Sequence, residues 1–117
     1  MGIPIQYALT YPERAQSIVE PLSLTQLGKL TFYEPRDDVF RGISLCKEAL
    51  NVGGTMPAIL NGANEEAVGL FLADKIGFHD IARLVADARA RIPVVQNPTL
   101  DDILAADAAA RRSVLGD

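Results

Sequence analysis

Apolar residues recur at three- and four-residue spacing through the last two thirds of the chain, the period of helices that each bury one face. The first such run is Arg41 to Leu50, where Ile43, Cys46 and Leu50 form the expected stripe and Asn51-Val52-Gly53-Gly54 ends it. A second helix is predicted to open at Thr55 as N-cap, with Pro57 in the first turn, where its missing N–H does no harm. It should run to about Lys75 with Leu60, Ala63, Ala67, Leu70 and Phe71 facing inward, Gly77 marking its end. The third follows Phe78, with Ile81, Leu84, Val85, Ala88 and Ile92 buried and Pro93 as the stop. After the extended Val94-Val95-Gln96-Asn97, Thr99 and Asp102 have the spacing of a capping box. The fourth helix is expected to present Leu100, Ile103, Leu104, Ala108, Val114 and Leu115 to the core.

The first third is patterned differently. Pro4, Pro12, Pro21 and Pro35 recur too often for one long helix. Ile5-Gln6-Tyr7-Ala8-Leu9 can make one or two helical turns before Pro12, and Lys29-Leu30-Thr31-Phe32-Tyr33 alternates like a short strand. A single strand needs a sheet edge from another domain or subunit to satisfy its N–H and C=O groups. The fold expected is therefore mainly α: residues 1–37 an irregular arm with one short strand, and residues 38–117 a small bundle of three to four helices.

Composition narrows the function classes. With 117 residues, 49% of them hydrophobic, the chain can close one modest core. A formal net charge of −4 with mixed signs supplies no basic surface for nucleic acid. No apolar stretch approaches the ~20 residues of a membrane span, and no basic-then-apolar leader opens the chain. The single cysteine, Cys46, cannot form an internal disulfide, so a reducing cytoplasm is expected.

Candidate chemistry is sparse. Gly53-Gly54 is the one glycine cluster and reads as a helix terminator rather than a phosphate loop. His79, the only histidine, stands at a helix start, where a capping or surface role is expected, and Cys46 reads as a small apolar side chain. Asp37-Asp38, Glu65-Glu66 and Asp101-Asp102 are adjacent pairs, and neighbouring helical residues point about 100° apart, which suits no shared metal. No catalytic, cofactor-binding or metal-ligating residue is assigned. Asn61, Asn64 and Glu65 stand out, three polar groups at i, i+3 and i+4 beside an apolar stripe. Partly buried and unpaired, such an amide costs about 1–3 kcal/mol. Three readings are open for them: bonds to a neighbouring loop's backbone, a domain interface, or contact with substrate or a lid.

The stretch Leu60-Asn61-Gly62-Ala63-Asn64-Glu65-Glu66-Ala67-Val68, then Phe71-Leu72 and Lys75-Ile76-Gly77-Phe78-His79-Asp80-Ile81, resembles the C-terminal helical domain of 1-deoxy-D-xylulose 5-phosphate reductoisomerases. That family shows Leu-Asn-Ala-Ala-Asn-Glu at the same place. Ile3 to Arg14 resembles the segment leaving the family's catalytic domain, and Gly28-Lys29-Leu30-Thr31-Phe32 its linker strand, so the likeness covers nearly the whole chain. Two departures are Gly62 for the usual alanine and Gly2 for a common arginine, while Met1 stands where the family tends to have methionine near its substrate-covering loop.

The resemblance implies an NADPH-dependent oxidoreductase and isomerase of the methylerythritol phosphate route to isoprenoids, yielding 2-C-methyl-D-erythritol 4-phosphate. It implies magnesium, manganese or cobalt as a Lewis acid in the intact enzyme. It places the nucleotide domain, metal carboxylates and phosphate-binding residues before Met1, leaving here a linker and a buttressing bundle, inactive alone. The partners expected are that upstream catalytic domain and a second copy paired through the arm strand. The alternative is a stand-alone helical interaction or self-association module; an independent small enzyme is a third reading, and no turnover is expected of it.

Overall fold

The protein was analysed as a computed structural model, which describes residues 1–116. The chain divides into two compact units, Met1–Glu34 and the portion from Pro35 onward.

In the first unit, α1 spans Gly2–Thr10 and α2 is a single turn, Leu24–Leu27. Helix α1 is longer than the one or two turns its sequence promises, because Pro4 falls in its first turn, where no intrahelical N–H bond is required. The Thr10 hydroxyl donates to the carbonyls of Gln6 (3.1 Å) and Glu13 (2.8 Å), turning the chain beyond the helix. The Gln6 amide holds the following loop, donating to the Gln16 carbonyl at 2.5 Å and accepting from the Ile18 N–H at 3.3 Å. In α2, absent from the sequence expectation, the Ser23 hydroxyl caps the Gln26 N–H and Gly28, at φ +71°, closes the turn.

The expected strand at Lys29–Tyr33 is not formed: the segment belongs to no sheet, and no strand exists among the described residues. β propensity supplies side-chain fit but not the ladder partner that makes a strand. Phe32 and Tyr33 stand 86% exposed.

The second unit is an all-helical bundle of α3 (Gly42–Val52), α4 (Met56–Leu72), α5 (Phe78–Arg91) and α6 (Leu100–Leu115). Helix α4 is central and packs against the other three. Its inward positions are Met56, Ile59, Gly62, Ala63 and Ala67, with Leu60 and Leu70 partly buried against the same core. Of the expected face, Leu60, Ala63, Ala67, Leu70 and Phe71, the two alanines are buried and the other three half-buried. The buried face is broader because a helix surrounded on several sides has no single dry stripe. Helix α5 follows expectation, with Val85 and Ala88 buried and Ile81, Leu84 and Ile92 packed on the core.

Two faces turn the other way. On α3 the buried residues are Leu45 and Ala49, while Ile43, Leu50 and the thiol of Cys46 are exposed. Both sets satisfy helical spacing, and Glu48 on the same helix meets Arg89 of α5 at 2.7 Å. On α6 the core residues are Val114, as expected, together with Ala106 and Ala110, while Leu100, Ile103, Leu104 and Leu115 of the expected face are exposed and Ala108 is half-buried. Small residues win because α4 offers Gly62, Ala63 and Ala67 opposite, and small side chains on both helices let the backbones approach. A Cβ on Gly62 would lie 2.6 Å from Asp107 Oδ1 and 3.0 Å from the Asp107 carbonyl oxygen.

The α3–α4 turn is tied to the α5–α6 connection. Thr55, fully buried, stands at the N-cap of α4 as expected, but its side chain makes no cap bond: its hydroxyl accepts the Val95 N–H at 3.0 Å, and its own N–H donates to the Val95 carbonyl at 3.1 Å. Gly54, at φ +56°, leaves room for that carbonyl, which a Cβ would strike. Helix α4 stops at Leu72, and Gly77 serves as N-cap of α5, its N–H donating to Asp80 Oδ2 at 2.9 Å. The capping box of α6 forms as expected: Thr99 N–H to Asp102 Oδ2 at 2.9 Å, and Asp102 N–H to the Thr99 hydroxyl at 3.2 Å.

Candidate functional site

The bundle leaves one large concavity, a cleft of about 510 Å³ bounded by α3, α4, the start of α5 and the turn at residues 39–41. Its floor is apolar, with Leu45, Leu60, Val68, Ile81 and Val85, and its aromatic wall follows from local sequence. Phe78 opens α5 and meets Phe40 at 6.4 Å and Phe71 at 5.8 Å, both edge to face, an arrangement aromatic rings favour.

Polar groups sit on this apolar ground. Asn61 and Asn64, one turn apart on α4, both line the cleft, Asn61 exposed and Asn64 half-buried. Neither amide hydrogen-bonds another group among the described residues. Glu65 is exposed and lies outside the cleft lining; its charge bears on Arg111 of α6, as does Glu66, whose carboxylate is 4.0 Å from that guanidinium. The trio is thus divided, two amides in the cleft and one carboxylate toward α6.

Arg41, Cys46 and His79 also line the cleft. The chain's only thiol and only imidazole share it, a juxtaposition invisible in sequence because 33 positions separate them. No hydrogen bond links them among the described residues. His79 does not cap its helix; Asp80 does, and the imidazole stacks edge to face on Phe78 at 5.7 Å.

The perturbed ionisations belong to helix ends and surface pairs outside this lining. Arg83 at 2.9 Å, with the Gly77 N–H, holds the Asp80 carboxyl below the ordinary range. The Thr99 hydroxyl and N–H do the same for Asp102. Arg36 lowers Asp38, and Asp107 raises the Arg111 guanidinium. None supplies a proton donor or acceptor poised near neutrality. No group of three His, Cys, Asp or Glu side chains converges to hold a cation among the described residues. The cleft is suited to receiving a complementary surface: apolar ground, aromatic wall, two free amides.

The family described as the DXP reductoisomerase C-terminal domain matches residues 1–113 by its sequence profile. The chain belongs to this family. This DXP reductoisomerase C-terminal domain is 52% identical over 111 residues to the 1-deoxy-D-xylulose 5-phosphate reductoisomerase of Symbiobacterium thermophilum, covering 95% of the chain and 29% of that protein. It is 47% identical over 114 residues to the reductoisomerase of Acetivibrio thermocellus, covering 97% of the chain and 30% of the relative. A crystal structure of DOX-P reductoisomerase in complex with NADPH, fosmidomycin and magnesium superposes with a TM-score of 0.86 at 36% identity, over 98% of this chain and 30% of that one. The chain thus spans about 30% of the length of the relatives it matches. The helical architecture and the family resemblance read from the sequence agree with these likenesses.

Proposed function

We propose that this chain is the C-terminal structural segment of a 1-deoxy-D-xylulose 5-phosphate reductoisomerase, an NADPH-dependent enzyme of isoprenoid biosynthesis that forms 2-C-methyl-D-erythritol 4-phosphate. The observation that carries the reading is the family match over residues 1–113 combined with coverage of only about 30% of each relative. The segment's contribution is a helical scaffold, and the reacting groups reside on the remainder of the enzyme.

The chemistry of this chain's donor set accords with that division. NADPH and a divalent cation are bound in a solved relative. Here Asp80 and Asp107 pair with arginines and Asp80 and Asp102 cap helices, and no three His, Cys, Asp or Glu side chains gather into a cation site among the described residues. Gly28, Gly53 and Gly116 end helices and Gly54 and Gly62 admit close neighbours, and none of these belongs to a run of N–H groups of the kind that cradles a pyrophosphate. The residues present do not fit either group, and no catalytic step is assigned to them. Asn61, Asn64 and Glu65 are read as interface residues of the scaffold.

No helix among the described residues is long and apolar enough to cross a membrane. An exposed single thiol suits the reducing cytoplasm, where we place the enzyme.

The test is to express residues 1–117 together with the reading frame encoded immediately before Met1. Cation-dependent oxidation of NADPH on addition of 1-deoxy-D-xylulose 5-phosphate is expected. The lack of such a frame, or a folded product with no turnover, contradicts the proposal.

A further inference from the structure

We draw no further inference here: the strongest candidate, the exposed apolar face that Leu100, Leu104 and Leu115 form along α6, carries nothing because nothing in the structure shows what covers it.

Discussion

At the scale of single residues, the tie between Thr55 and Val95 shows how a local signal can be outbid by a distant partner. Threonine before a helix with proline in its first turn reads as an N-cap. Its hydroxyl instead accepts the Val95 N–H, 40 positions away, because the turn that brings Val95 alongside leaves that N–H in need of an acceptor. Thr55→Val keeps the shape and removes the acceptor, so it is expected to lower unfolding free energy by about 1–3 kcal/mol, read from urea denaturation. Gly54→Ala combines a left-handed backbone with a clash on the Val95 carbonyl and is expected to cost about 2–4 kcal/mol in the same assay. Loss of less than about 0.5 kcal/mol in both would show that the tie contributes little. The sequence offers Gly53-Gly54 as a stop signal, correctly, and nothing in it discloses which carbonyl needs the space.

At the scale of elements, helix positions were legible and helix faces only partly. Gly53-Gly54, Pro93 and the Thr99–Asp102 box marked boundaries because they act through bonds to their immediate neighbours. The faces of α3 and α6 were misread because large apolar side chains outrank alanine in any hydrophobic pattern, whereas close helix approach rewards the smaller side chain. Ala106, Ala110 and Val114 against Gly62, Ala63 and Ala67 form that approach. Gly62→Ala adds up to about 1 kcal/mol of helix propensity and should lose more than that to overpacking against Asp107, for a net destabilisation of about 1 kcal/mol. A stabilised variant would mean that Asp107 swings aside at no cost. Thr99→Ala removes the cap of α6 and is expected to cost about 1 kcal/mol. The carboxyls of Asp80 and Asp102 are held below their ordinary value, so their stabilising contribution is complete above about pH 4 and disappears as pH falls through the lower folded values. The melting temperature should therefore drop as pH falls below about 4, and drop less in Thr99→Ala. An unchanged acid dependence in that variant would separate Asp102 from the acid response. The arm strand failed for a reason of the same kind. Alternation at Lys29–Tyr33 specifies side-chain direction, while a ladder needs a second chain segment that this sequence does not provide.

At the scale of the whole molecule, the candidate site was the least legible part. Asn61 and Asn64 were conspicuous as polar residues beside an apolar stripe, yet the cleft they line is completed by Phe40, Arg41, Cys46 and His79, which only the packing of α3 and α5 on α4 brings together. The family relationship was legible because ordered short motifs span the chain, and the matched relatives extend well beyond it. The resulting picture is of a helical bundle in which Asp80, Asp102, Asp107 and Glu48 are engaged in caps and ion pairs while Asn61 and Asn64 line a cleft. Its central claim is that NADPH, cation and sugar phosphate are handled elsewhere in the enzyme. Isothermal titration of NADPH, with and without magnesium, into the purified and folded 117-residue chain tests this most directly. No saturable heat is predicted. Stoichiometric binding of the nucleotide to these helices would contradict the account.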